Sequence, residues 1–600
     1  MNILYIFPPQ WIPIQPHFAI PSLMGQFRDS KHNVMGMDLN LDFYLKILKK
    51  EHIEKCITRA KELEKALEEE VKAHYKKETD FDDYPIEDKN KFLKFIIIHN
   101  FFERNKNNLS KYTFLLSDAI NVMRSDEYFY NPKLLIDALD IIDKCLQVAS
   151  LEYAPSTLSL SSFYNQNFKY NYESIDYYVN DKSTNMFMDY MNEKADEIIK
   201  KNPDYIGISI NSSSQIVAGL TLSKLLKEKT KAHVNIGGNF FGRVKEALYN
   251  HPEFFEIYAD SLMVEEGERP VLEMAEYIDE KRKLKDVSNL MYLKDGKVIL
   301  NEKTTPMKLD DMKPLSFNGY DLNKYLTPEI ILPFQASRGC YWHKCSFCDH
   351  DFGLHYNVKS LDILVEQIKT MKEDYGITKF EFIDEAISPS YMEKMAQRFI
   401  DENLDITYFC DGRLESEFSY EILKKAHDSG LRMILWGLES GSRKIMDLIN
   451  KGVDFDKRID VFRNAAKAGV FNFAFIFFGF PAETKEDAME TIELIRNNSD
   501  IIHTYGRSIF TMGNHTIIMQ DPEKYGVDGE IKQEDELSPT YNFKAKGMTP
   551  EELNEVILSC KKMALETFGN NLVFKLVSRE LIFLYLVRFG IEAIRNYRFK

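Results

Sequence analysis

Seven cysteines are spread over 600 residues, and three of them, Cys340, Cys345 and Cys348, fall within nine. They lie in the run Ser337-Arg338-Gly339-Cys340-Tyr341-Trp342-His343-Lys344-Cys345-Ser346-Phe347-Cys348. Thiolates are soft ligands, and three on one loop can hold three irons of a cubane 4Fe–4S cluster. The fourth iron then lacks a protein ligand, which leaves a position for a small molecule, as at an open catalytic zinc. The other reading is a structural zinc site completed by His343 or His350. Zinc loops usually pair two knuckles, and no second Cys/His knuckle lies near in sequence. Cys56, Cys145, Cys410 and Cys560 are scattered and read as ordinary reduced thiols. Of these, Cys410 ends a strand-like run and is placed to reach the same site.

The elements that must position this loop form a βα series. Its strand-like runs are Ile331–Ala336, Lys379–Ile383, Ile406–Cys410, Met433–Leu438, Asn472–Phe478 and Arg507–Met512, with amphipathic helical stretches between them. Six parallel strands of this kind suit a partial (β/α)6 barrel, whose active site lies at the carboxyl ends of the strands. The cysteine run directly follows the first strand.

An earlier series precedes it, with strands at Ile3–Phe7, Asn33–Asp38, Tyr205–Ile210, a run ending at Asn239, and Ser261–Val264. The fold class is therefore α/β. We expect a split, doubly wound Rossmann-like domain over 1–45 and 202–300, interrupted by a helical insertion over 46–201. A proline-bearing linker and the start of the first barrel strand take 301–333, the barrel 334–545, and C-terminal helices 546–600. Ligands of doubly wound domains sit beyond the carboxyl ends of the strands. Here those ends carry Pro8, the run Asn211-Ser212-Ser213, Gly237-Gly238-Asn239 and Glu266-Gly267-Glu268. The glycine pair lets backbone approach a ligand closely, or simply makes a tight strand-to-helix turn.

The hydrophobic fraction of 44% and charged fraction of 28% are those of a globular chain. A net charge of −16 excludes bulk nucleic-acid binding and attraction to an anionic membrane. The start lacks a basic n-region and a cleavage site, and the apolar runs Phe95–Ile98 and Leu581–Val587 are too short to span a bilayer. A cytoplasmic protein with no membrane partner is expected.

The cysteine spacing, with Phe347 before the last ligand, resembles the radical S-adenosylmethionine (SAM) superfamily, where the usual spacing is three residues then two. Later runs follow in the family's order. Trp436-Gly437-Leu438-Glu439-Ser440-Gly441 resembles its fourth-strand element. Phe475-Ile476-Phe477-Phe478-Gly479-Phe480-Pro481-Ala482-Glu483-Thr484 resembles the fifth-strand motif and the turn after it, with Ala482 for the usual glycine. Asp521-Pro522-Glu523-Lys524-Tyr525-Gly526 resembles a segment after the sixth strand. The Pro-Pro opening, Gly237-Gly238 and Glu266-Gly267-Glu268 resemble the cobalamin-binding domain that precedes many radical SAM domains. The Asp-x-His-x-x-Gly motif for a lower axial histidine is absent; Asp38-Leu39-Asn40-Leu41 stands nearest and has no imidazole.

The resemblance implies that Cys340, Cys345 and Cys348 hold a 4Fe–4S cluster whose open iron is chelated by SAM. Reductive cleavage would then yield a 5′-deoxyadenosyl radical. Phe347, Ile476 and Gly479 would lie along the adenine, Asp384 or Glu385 at the SAM ammonium, Arg413 at its carboxylate, and Glu439 and Ser440 at the ribose. Pro8, Asn211 to Ser213, Gly237 to Asn239 and Glu266 to Glu268 would line the cobalamin. The implied activity is cobalamin-dependent methyl transfer to an unactivated carbon of a small metabolite or peptide, fed by an electron donor such as flavodoxin or ferredoxin. Two alternatives remain: a radical SAM enzyme without methyl transfer whose cobalamin domain is degenerate, and a non-catalytic metal-binding protein.

Overall fold

The computed structural model describes residues 1–74, 81–349, 356–569 and 578–595. The chain divides into two units. One comprises Met1–Met307, Leu315–Ile330 and Asp535–Leu537; the other comprises Lys308–Pro314, Ile331–Glu534 and Ser538–Lys600. Among the described residues no helix is long and apolar enough to cross a membrane.

In the first unit β1 (Asn2–Phe7), α1 (Ala19–Gly25), β2 (Asn33–Asp38) and α2 (Leu39–Ile47) open the sheet. An insertion follows, made of α3 (Lys50–His74), α4 (Ile86–Asn105), α5 (Leu109–Arg124), α6 (Pro132–Ser150), the hairpin β3 (Ser156–Leu158) and β4 (Phe163–Asn165), α7 (Tyr172–Asn180) and α8 (Met188–Ile199). Helix α6 shows why such stretches fold locally. The Asn131 side chain accepts from the N–H groups of Lys133 and Leu134, Pro132 occupies the first turn, and Leu135, Leu139, Ile142 and Leu146 are buried at helical spacing. The sheet resumes with β5 (Tyr205–Ser209), α9 (Ile216–Lys229), β6 (His233–Gly237), α10 (Asn239–Arg243), α11 (Pro252–Ile257), β7 (Ser261–Met263), α12 (Glu268–Ile278), β8 (Leu290–Lys294) and β9 (Lys297–Leu300).

The strand order is β2-β1-β5-β6-β7-β8-β9. The first five strands are parallel, and β8 and β9 extend the sheet antiparallel. Counted among the parallel strands alone this is the doubly wound order 2-1-3-4-5, with its switch point between β1 and β5. The sequence reading held no counterpart of β8 and β9. Strands β1 and β5 are apolar on both faces because covering helices bury both.

The second unit begins with β10 (Ile331–Phe334), then the short antiparallel pair β11 (Ser337–Arg338) and β12 (Asn357–Val358), which closes the base of the cysteine loop. The series continues through α13 (Leu361–Tyr375), β13 (Lys379–Phe382), α14 (Pro389–Asp401), β14 (Thr407–Arg413), α15 (Tyr420–Asp428) and β15 (Leu431–Glu439). It ends with α16 (Arg443–Ile449), α17 (Arg458–Ala468), β16 (Phe471–Phe478), α18 (Lys485–Asn497) and β17 (Thr504–Ile509). The six main strands are parallel and lie in chain order. The stretch read as a linker is packed: Leu309, Met312, Leu315, Phe317, Tyr325 and Leu326 are buried.

Two helices follow, α19 (Pro550–Phe568) and α20 (Arg579–Arg595). On the outer face of the sheet, Phe382 and Tyr408 pack on Phe399 of α14. Side chains alternate along a strand, so Glu381 and Phe409 point to the opposite, inner face. There α20 meets them: Phe583 lies 4.9 Å from Phe409 and Arg579 donates to Glu381 at 2.6 and 3.1 Å. The run Leu581–Leu586 is buried, so this apolar segment lines the inside of the barrel. Cys410 shares the outer face with Tyr408 and is fully buried, so it does not join the other thiols.

Candidate active site

The cysteine loop is fixed by residues from several strand ends. Asp384, just after β13, accepts from the backbone N–H groups of Ala336 and Ser337, and Glu385 accepts from Gly339 at 2.9 Å. Both carboxyls are pushed up by burial, Asp384 to about 6. On the other side the end of α16 and the residue after it clip the loop: Trp342 Nε1 donates to Asn450 O at 2.8 Å, Asn450 Nδ2 to Lys344 O at 3.0 Å, and Ser346 N to Ile449 O at 2.9 Å.

Arg413, the last residue of β14, is buried and stacks over Tyr341 and Trp342 at 5.4 and 5.0 Å. Its remaining directions go to Glu415 Oε1 at 3.0 Å and Lys451 O at 2.7 Å. Lys451 Nζ lies 2.5 Å from Glu439 Oε1 at the end of β15. Burial alone would lower the Lys451 ammonium, but the charges of Glu439 and Cys345 hold it above its ordinary value. Lys451, Tyr341 and Trp342 were not among the sequence candidates; Lys451 sits in a loop with no motif around it.

Cys340 is half-buried, Cys345 buried and Cys348 exposed. Burial pushes the Cys345 thiol up, while Lys451 and Arg413 favour its thiolate. Cys348 keeps an open face, yet the protein atoms around it and the neighbouring Cys345 and Cys340 push it to about 12. The Cys348 N–H donates to Cys345 O at 3.4 Å, which holds these two on one turn. Among the described residues no group of three His, Cys, Asp or Glu side chains is drawn tightly enough to hold an ion. As a donor set for a cluster the residues fit: three soft ligands on one loop, with two cations beside Cys345 to offset anionic charge. His343 is exposed and its Nδ1–H donates to Cys340 O at 3.1 Å; His350 lies outside the described residues.

Phe347 meets Phe477 of β16 at 5.0 Å. Ile476, expected as an apolar wall, alternates with Phe477 and shares its strand face with Asn472, which accepts from the outer-face Trp436. Phe477 is therefore the β16 residue on the loop side. Gly479 has φ +86°, and its N–H donates to Glu483 Oε2 at 2.6 Å. Ser440 is fully buried and its Oγ pairs with Thr491 Oγ1 at 3.3 Å, which turns it to α18.

In the first unit, three of the four expected loops bond to one another at the switch point. Gln215 Nε2 donates to Pro8 O at 2.7 Å, and Asn239 N to Asn211 Oδ1 at 3.4 Å. Gly238 has φ +99°, and a Cβ there would lie 2.4 Å from Ile210 O, so only glycine fits. A Cβ on Gly237 would meet only Met263 Cβ, at 3.8 Å, which leaves backbone open to a ligand. Ser212 Oγ is buried without a hydrogen-bond partner, and Ser213 is exposed. Gly267 packs near Leu23, Glu268 is buried within 3.5 Å of Ser22 Oγ, and Glu266 accepts from Asn289 Nδ2 through its carbonyl. An orphaned hydroxyl and an open glycine edge are features a large polar ligand such as cobalamin fits.

Residues 334–495 match the radical SAM superfamily. This segment is a radical SAM domain. It contains the cysteine loop and five of the six main strand ends. The chain is 28% identical over 50% of its length to an uncharacterized methyltransferase of Pyrococcus horikoshii, covering 66% of that protein. It is 23% identical over 52% of its length to cytidylyl-2-hydroxyethylphosphonate methyltransferase of Streptomyces wedmorensis, covering 65%. The chain thus spans under two thirds of the length of these relatives. In fold it is similar to the cobalamin-dependent SAM radical enzyme OxsB, solved with aqua-cobalamin and SAM bound, with a TM-score of 0.51 and 15% identity. That match covers 68% of this chain and 65% of the other.

Proposed function

We propose that the chain is a cobalamin-dependent radical SAM methyltransferase acting on an unactivated carbon of a small metabolite or peptide. The observation that carries this is the loop with Cys340, Cys345 and Cys348, fixed by Asp384, Glu385 and Arg413 at the ends of parallel strands inside the radical SAM domain. When bound, a 4Fe–4S cluster supplies the electron that cleaves SAM, and cobalamin carries the methyl group.

The chain's own residues do the positioning. The three cysteines are the cluster ligands, and Arg413 and Lys451 offset charge beside Cys345. Both oxygens of Asp384 face backbone N–H groups, whereas Glu385 commits Oε2 to Gly339, so Oε1 of Glu385 is assigned to the SAM ammonium. Phe347 and Phe477 form an apolar wall that keeps water from the cleaved sulfonium. Ser212, Gly237 and Asn211 are assigned to cobalamin. Methyltransferase names among the relatives and the OxsB likeness support the reading. An external one-electron donor such as flavodoxin or ferredoxin completes the cycle.

Anaerobic reconstitution with iron, sulfide and hydroxocobalamin, followed by SAM and reductant, tests this. The expected products are S-adenosylhomocysteine and 5′-deoxyadenosine, with a bound corrinoid spectrum. Cys340→Ala removes the cluster absorbance and both products. An iron-loaded wild type that leaves SAM intact overturns the reading, and deoxyadenosine without bound corrinoid overturns its methyl-transfer half.

A further inference from the structure

The helical insertion encloses a cavity of about 400 Å³ between α4, α6 and the β3–β4 hairpin. Its chemistry runs against the chain's. The protein carries 93 acidic against 77 basic residues, yet no Asp or Glu lines this cavity, while Arg104 of α4 and Lys144 of α6 do. Neither cation forms an ion pair with a described carboxylate. Lys144 Nζ donates only to Gln147 Oε1, at 3.2 Å, which leaves N–H groups to spare. Asn100 and Gln166 add uncommitted amides, and Phe101 and Tyr164 supply ring faces. Ser156 and Tyr164 also line a second cavity of about 220 Å³ whose lining carries no charged side chain. A ligand's charged end therefore belongs with α4 and α6, and its uncharged ring with Tyr164.

We propose that the insertion binds a small molecule bearing a phosphate or carboxylate at one end and a flat ring at the other. Arg104 and Lys144 receive the anion through charge-assisted hydrogen bonds, for which a guanidinium's planar donors suit phosphate and carboxylate oxygens. Tyr164 and Phe101 hold the ring, and the neighbouring amides satisfy its polar substituents. Concave sites of this volume with a few convergent donors are where small ligands are taken up. The proposal does not depend on the methyltransferase reading, because Arg104, Lys144, Phe101 and Tyr164 lie outside the cysteine loop and the loops assigned to cobalamin; Ser213 of one such loop lines only the second cavity.

Saturation-transfer NMR on the full chain, with phenyl phosphate, benzoate and benzyl alcohol as probes, tests it. Phenyl phosphate and benzoate should receive saturation at their ring protons and benzyl alcohol should not. In the Arg104→Ala/Lys144→Ala variant that transfer should fall at least fivefold, while Lys229→Ala, which removes a surface cation elsewhere, should leave it unchanged. Far-UV circular dichroism of the variants should match the wild type, as expected for side chains that are exposed or half-buried. Equal transfer to all three probes, or transfer that survives the double substitution, overturns the proposal. So does loss of the bound hydroxocobalamin spectrum in the double variant, which would make the cavity part of a corrinoid site. Retention of that spectrum together with lost phenyl phosphate binding supports a separate ligand site.

Discussion

The guanidinium of Arg413 lies 5.0 Å from the ring centroid of Trp342, and this contact ties the third barrel strand to the cysteine loop. The planar cation is sandwiched by chemistry a lysine cannot copy: it faces two rings while giving separate N–H groups to Glu415 and Lys451. Arg413→Lys should therefore keep the charge and lose about 1 kcal/mol of loop docking. The expected result is several-fold faster loss of iron to a chelator from the reconstituted protein. Iron release at the wild-type rate would count against this role.

Gly452 stands behind the same ring. It has φ +73°, and a Cβ at that position would lie 2.0 Å from Trp342. Gly452→Ala should force the indole out of its place and cost about 1–3 kcal/mol, from strain and displaced packing together. Urea unfolding should register the destabilisation, and tryptophan emission should shift red as Trp342 is exposed. An unshifted spectrum would show that the loop absorbs the methyl group elsewhere.

Glu483 is fully buried, with Oε2 on Gly479 N and Oε1 without a partner. Burial raises its carboxyl from 4.5 to about 8. Between those values the folded protein holds a proton that the unfolded chain has released, so this group's stabilisation is complete below about pH 4.5 and fades as pH rises through 8. The slope is at most about 1.4 kcal/mol per pH unit. Urea midpoints measured from pH 5 to 8 should fall more steeply for the wild type than for Glu483→Gln. Parallel profiles would remove Glu483 as the source.

Glu381 points to the inside of the barrel with 4% of its side chain exposed, and Arg579 neutralises it. Arg579 keeps 38% of its own side chain exposed, so solvent screening trims the value of the pair. Arg579→Met should cost about 1–2 kcal/mol, because it strands a buried carboxylate. Adding Glu381→Met should restore most of that loss. If the double variant is less stable than the single, the pair is not the source of the effect.

The strands were legible because parallel sheets write continuous apolar runs ended by turn residues, as in Phe471–Phe478 before Gly479. The cysteine loop was legible from ligand type and spacing. What escaped was tertiary. Lys451 matters because the chain after α16 returns to the cysteine loop, and no local pattern marks that return. Leu581–Val587 reads as an apolar helical run, but nothing in its period says that its partner is the inside of a barrel. Arg413 was expected just past its strand; the structure keeps it as the strand's last residue, which fixes the direction of its side chain. The tyrosine-rich stretch Phe163–Tyr178 carries no single period because it turns from β4 into α7 within seven residues.

Helix α20 is translated after every strand whose inner face it covers. While the ribosome still holds that segment, Phe409 and Glu381 have no inner partner, and the nascent barrel is an open, half-wetted sheet. Burial of the barrel's inner face therefore waits until α20 has left the ribosome.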